Sequence, residues 1–165
     1  MGKEIDKILS QAYDLCEDGN FSDALKLYDL VLKQEPENIN ALMDKGVTLQ
    51  NLGRIKQAIK YYDKALCINP QNLNALVNKG ASLHTIEKYL DAIKCYDLAL
   101  KVDKKCAMAL AYKGLSLGEL GNLTDALKHF KKALSIDHDY DLASISKDMV
   151  KELLKSIQKQ KSKTP

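Results

Sequence analysis

Tryptophan is absent from this chain of 165 residues, and proline and glycine are scarce, at three and eight. Collagen-like repeats and other Gly- and Pro-rich architectures are thereby excluded. The four cysteines, Cys16, Cys67, Cys95 and Cys106, offer no CxxC pair and no Cys/His spacing suited to zinc. They read as reduced thiols of a cytoplasmic protein. No charge dominates: 25 Lys and Arg face 22 Asp and Glu, and the Lys surplus is concentrated between Lys147 and Lys163. That balance is too mild to point to nucleic acid. No run approaches the roughly 18 apolar residues of a membrane span. The first residues carry Lys3, Glu4, Asp6 and Lys7 where a signal peptide needs an apolar core. Asp6 also closes the myristoylation reading that Gly2 opens, because the motif wants Ser or Thr at that place.

What remains is helix-forming material, 45% hydrophobic and 28% charged, enough apolar matter for a packed all-α domain. Its organisation is a period of 34 residues. Alanine recurs as Ala24, Ala58, Ala92 and Ala126, and a ring follows four later as Tyr28, Tyr62, Tyr96 and Phe130. Small residues recur as Ala12, Gly46, Gly80 and Gly114, and leucines as Leu15, Leu49, Leu83 and Leu117. Within one period, Leu42, Gly46 and Leu49 share a helix face, and Gly53 supplies a left-handed stop. Ala58, Tyr62, Ala65 and Leu66 form a second stripe, which Pro70 ends, while Asn38 and Asn72 stand as caps for the helices that follow them. Each unit is therefore an antiparallel helix pair, with an apolar face that only the next pair covers.

These columns resemble the tetratricopeptide repeat. The resemblance implies an all-α, right-handed superhelical solenoid of antiparallel helix pairs, about nine helices in one domain. Repeats are set at 5–38, 39–72, 73–106 and 107–140, followed by a capping helix at 141–159 and a disordered basic tail at 160–165. Departures are local. Lys45, Lys79 and Lys113 replace a leucine, Glu87 replaces the turn glycine, and Lys104 and His138 replace proline, which predicts blurred helix ends. The related RNA-reading helical repeat has a period one residue longer and does not fit.

The resemblance implies that first helices line a concave groove. Its inward pairs are Leu9 and Tyr13, Met43 and Val47, Val77 and Ala81, and Ala111 and Leu115. Asp6, Asn40, Asp44, Asn74, Asn78, His84 and Tyr112 flank them as candidate bonds to a partner's backbone. An apolar row there points to a protein or peptide partner, an apolar helix or an extended segment. Relatives that hold the Glu-Glu-Val-Asp tail of heat-shock chaperones use a Lys/Asn/Arg clamp. Here the clamp positions carry Leu9, Tyr13, Asp44, Asn74 and Asn78 or, one repeat later, Met43, Val47, Asn78, Met108 and Tyr112. Such tails are not expected to bind.

Continuing the phase into the terminal helix sets Ser144, Lys147, Asp148 and Lys151 against the fourth pair, with Leu142, Ile145, Met149, Val150, Leu153, Leu154 and Ile157 on the other side. Either that helix rotates to cover the fourth pair with its apolar arc, or the arc meets the groove or a second copy. The latter gives the alternative function, a self-associating module joined by its last helix. No phosphate loop, GxSxG or HExxH occurs, and His84, His129 and His138 stand singly, so neither catalysis nor a cofactor is expected. The run from Asp137 to Asp141 reads as an inter-repeat turn, with Asp141 as a cap, rather than as a metal site.

Overall fold

Asn38 and Asn72 do what their side chains suggest, accepting bonds from the backbone N–H of Ala41 and Ala75, both at 2.9 Å. Cys106 stands at the same place one repeat later, its Sγ 3.4 Å from the N–H of Ala109. These caps open α3 (Ile39–Asn51), α5 (Leu73–Thr85) and α7 (Ala107–Glu119). Together with α1 (Gly2–Glu17) they are the first helices. The second helices are α2 (Phe21–Gln34), α4 (Ile55–Ile68), α6 (Tyr89–Val102) and α8 (Leu123–Ile136), and α9 (Asp141–Lys161) closes the order. In this computed structural model residues 2–161 are described. The last helix runs to Lys161, and residues 162–165 of the expected tail lie outside the described residues.

Between first and second helices the chain reverses through a left-handed residue. It is glycine at Gly19, Gly53 and Gly121, while Glu87 holds φ at 60° in the same role. The turn thus survives the loss of its glycine, at a cost of roughly 1 kcal/mol. The expected blurring at Lys104 and His138 does not occur. α6 and α8 end in step with α2 and α4, and the side-chain bond that Asn69 makes beside Pro70, to the N–H of Gln71 at 3.1 Å, is kept at the equivalent aspartates. Asp103 accepts from Lys105 N–H at 2.8 Å, and Asp137 accepts from Asp139 N–H at 3.2 Å. Asp141 is the first residue of α9, not its cap; its charge there suits the positive end of the helix.

The chain divides into two compact units, Met1–Ile86 and Glu87–Pro165. In the first, two kinds of layer alternate. Ala12, Ala24 and Tyr28, and likewise Leu49, Ala58 and Tyr62, pack inside a pair. Ile5, Val31 and Ala41, and likewise Leu42, Ala65 and Ala75, seal neighbouring pairs. Gly46 is required by closeness: a Cβ there would stand 2.5 Å from a ring carbon of Tyr62.

In the second unit one cluster of Leu110, Ala111, Ala126, Phe130, Ala133 and Ala143 joins α7, α8 and α9. Ala143 is the fourth member of a buried column, Ala41, Ala75, Ala109 and Ala143, each 34 residues on. α9 therefore docks as one more first helix. It presents Ala143, Ser146 and Val150 inward and leaves Asp148 to water, with Ser144, Lys147 and Lys151 half-buried at the edge. This corrects the expected orientation. The face of a first helix that carries the small residue meets its own second helix, not the preceding pair, and α9 has no second helix. No rotation of the helix is needed.

Candidate functional site

The two predicted columns of inward residues split by side-chain length. In the first unit Tyr13 and Val47 are 60% and 39% exposed, with Leu9, Met43 and Ala81 half-buried beside them. Val77, expected to face the groove, is only 3% exposed, and in the second unit Ala111 is fully enclosed at 0%. The exposure expected of those two is corrected. Their column leans toward the packed clusters, as Met43 shows by touching two of them, so a short side chain there disappears. Of the flanking polar residues, Asn40, Asp44 and Asn74 are exposed, and Asn78, His84 and Tyr112 are half-buried. Tyr112 stacks on Tyr96 with ring centroids 6.1 Å apart, which commits one face of its ring to packing. Although Asp44 is exposed as a residue, desolvation of its carboxyl against the neighbouring helix raises it above the ordinary aspartate value.

Two features escaped the sequence reading. The first is a row of ion pairs. Lys45, Lys79 and Lys113 reach back to Asp29, Asp63 and Asp97 on the preceding second helix, the latter two at 2.5 Å. Lys45 also lies over the Tyr61 ring, 4.4 Å from its centroid. Burial opposes the Lys45 charge, but the bonds to Asp29 and Tyr61 more than offset it, and its pKa lies above the usual lysine value. The lysines that depart from the repeat pattern are thus staples between pairs. Their aspartates recur at the same period, which is the signal that would have revealed them. The series breaks at α9, where Lys131 replaces the aspartate and Lys147 lies 3.8 Å from Asp148 instead.

The second is a slot between each ring and the next first helix. Gln50 fills it in the second repeat, accepting from the Tyr62 hydroxyl at 3.0 Å and from Ser82 at 3.2 Å. Cys16 fills it in the first, 3.7 Å from the Tyr28 hydroxyl and 3.3 Å from Thr48. Burial pushes both phenols above the ordinary tyrosine value, so both stay protonated. In the fourth repeat the same three places hold Gly118, Phe130 and Val150. At these three places no polar side-chain atom remains, and a cavity of about 330 Å³ opens, lined mainly by Leu115, Gly118, Leu123, Met149, Val150 and Leu153, with Glu119 and Ser146 as its polar members. A Cβ on Gly118 would meet nothing within 4 Å.

Residues 17–99 match the family model described as Anaphase-promoting complex, cyclosome, subunit 3, and residues 107–140 match the Tetratricopeptide repeat model. The chain belongs to these families: it is a tetratricopeptide-repeat protein. None of the curated proteins matches it. Among solved structures, the MamA protein is similar at 24% identity over 92% of this chain and 83% of that one, with a TM-score of 0.81. A thermophilic tetratricopeptide-repeat protein from Thermus thermophilus is 19% identical over 91% and 82%, with a TM-score of 0.77. The first repeat domain of Spaghetti (RPAP3), solved with the HSP90 peptide SRMEEVD, is 21% identical over 70% and 92%, with a TM-score of 0.68. At these identities the likeness establishes the all-α repeat fold expected from the sequence. Tetratricopeptide repeats are protein-interaction scaffolds, and no helix among the described residues is long and apolar enough to cross a membrane.

Proposed function

We propose that this protein is a non-enzymatic scaffold or adaptor, and that its first unit holds an apolar helix or extended segment of another protein along α1 and α3. The observation that carries the reading is the exposed pair Tyr13 and Val47, standing on one repeat column beside half-buried Leu9 and Met43. Covering an apolar side chain contributes about 1.5–3 kcal/mol. Two or three such anchors contribute about 3–9 kcal/mol before a cost of association of about 4 kcal/mol or more, which leaves weak binding, on the order of 100 µM to millimolar. Asn40, Asn74 and Asn78 supply donors and acceptors that fix the register of a bound backbone.

The match to a family named for a subunit of a large assembly supports an adaptor role. The RPAP3 domain holds an acidic peptide, whereas the clamp positions here, Leu9, Tyr13, Asp44, Asn74 and Asn78, carry no cation, so this chain is read as a receptor for apolar segments. Neither cofactor nor metal enters the reading, and the free thiols of Cys16, Cys67 and Cys106 suit a cytoplasmic setting.

Selection of displayed random peptides on the full chain tests this. Apolar peptides should bind with dissociation constants of about 100 µM or weaker, and at least about tenfold more weakly to a Met43→Glu, Val47→Glu variant of unchanged helicity. Selected ligands that are acidic, or that ignore the double substitution, would place binding elsewhere.

A further inference from the structure

The recess beside Gly118 is walled by α7, α8 and α9, and its two polar members lie at different depths. Ser146 is inside: it is only 8% exposed, and its hydroxyl has no hydrogen-bond partner among the described residues. Ser156 on the same helix bonds back to the carbonyl of Leu153 at 2.8 Å, a bond of a kind that Ser146 does not make. A buried hydroxyl left open toward a cavity calls for a partner from within it. Glu119 is exposed and stands at the mouth. Its carboxylate joins no ion pair among the described residues, and it ends α7, where the helix carbonyls add negative charge. No lysine or arginine lines the cavity. The rest of the lining is glycine or apolar, with Met149 and Leu153, 68% and 48% exposed, at the rim.

The register of the repeats sets the distance between the two polar groups. Gln50 meets Ser82, so Gly118 and Val150, at the same places two repeats on, stand level with each other on consecutive first helices. Ser146 lies four residues before Val150, and Glu119 one after Gly118. At a rise of roughly 1.5 Å per residue they are about 7–8 Å apart along the helix axes.

We propose that this recess binds a small, compact amine, with its ammonium at Glu119, its apolar body between Phe130, Val150 and Leu153, and a hydroxyl or similar group at Ser146. At the roughly 30 Å³ that a water molecule claims in the liquid, the cavity of about 330 Å³ admits a molecule of about ten non-hydrogen atoms. Pockets of this kind are mostly apolar, with a few placed polar groups that fix orientation. Glu119 disfavours an anion, and the apolar walls disfavour a polyol. A molecule spanning α7 and α9 also ties the last helix, which has no second helix behind it, to the stack. The site lies wholly within Glu87–Pro165 and does not rest on the row along α1 and α3.

Tyramine, a probe of that size and polarity, tests the proposal on the full chain by nuclear magnetic resonance of isotope-labelled methionine methyls. The Met149 methyl should shift with a dissociation constant of about 1 mM while that of Met43 stays still. Phenethylamine, which lacks the hydroxyl, and para-ethylphenol, which lacks the amine, should each bind about threefold or more weakly, and para-hydroxyphenylpropionate weakest of all. Ser146→Ala should erase the difference between tyramine and phenethylamine, and Glu119→Gln that between tyramine and para-ethylphenol. Gly118→Leu, whose side chain enters the recess, should abolish the shift with an unchanged helical spectrum. Tyramine at ten times its dissociation constant should slow amide exchange in α9 by up to about tenfold. A Met149 methyl that stays still up to about 10 mM tyramine, or equal binding of the four compounds to the unaltered chain, overturns the proposal. A shift that survives Gly118→Leu, or one that appears at Met43 instead, does so as well.

Discussion

Gln50 and Gly118 occupy the same place in their repeats, yet one unit of the molecule is sealed there and the other is open. In the first unit the slot holds an amide that joins Tyr62 to Ser82, and the ring, the amide and the next helix form one satisfied core. In the fourth repeat, within the second unit, the amide, the phenol oxygen and the serine hydroxyl are all missing together, replaced by Gly118, Phe130 and Val150. Losing one of the three would leave a buried polar group without a partner; losing all three leaves a mostly apolar recess with no stranded group at these places. The fold is indifferent to the exchange, because the alanine and ring columns that hold the pairs together are intact on both sides. A repeat protein acquires a recess in this way without disturbing its stack.

The comparison is broken most severely by filling the close contact beneath the sealed slot. Gly46→Val should lower the unfolding free energy by about 3 kcal/mol in urea titration, since its Cβ would meet the rigid Tyr62 ring at 2.5 Å. Next in size is a reciprocal pair. Gln50→Ala should cost about 1–2 kcal/mol by stranding the Tyr62 and Ser82 hydroxyls, whereas Gly118→Ala, pointing into open space, should add about 0.5–1 kcal/mol through helix propensity. Calorimetry should therefore move the two melting points in opposite directions. The smallest effect concerns the staple missing at α9. Lys131→Asp restores the residue type of Asp29, Asp63 and Asp97 opposite Lys147, and should slow amide exchange in α9 by about twofold, the worth of an exposed ion pair near 0.5 kcal/mol. Unchanged exchange would mean that the staples position helices without holding them.

The helix pairs, their caps at Asn38 and Asn72 and their left-handed turns were legible in the chain, because each rests on local chemistry repeated in phase. The placement of α9 was not. Ser144, Lys147, Asp148 and Lys151 lie on one face, and Ala143, Ser146 and Val150 on the face beside it, roughly 120° around the helix. Periodicity marks both faces and does not say which meets the preceding pair. The same ambiguity hid Val77 and Ala111, whose column leans into the seam, and it masked the lysine staples as mere departures from a leucine pattern.

By itself, then, the sequence determined the period, the caps at Asn38 and Asn72 and the identity of the core columns, since backbone caps, turn geometry and the pairing of small residues with rings act over a few positions. Only the tertiary structure decided which apolar residues stay exposed, that three absent polar groups share one slot, and which way the last helix turns its stripe. Those outcomes depend on side chains distant in the chain meeting in space, and on what is missing between them, which no local pattern records.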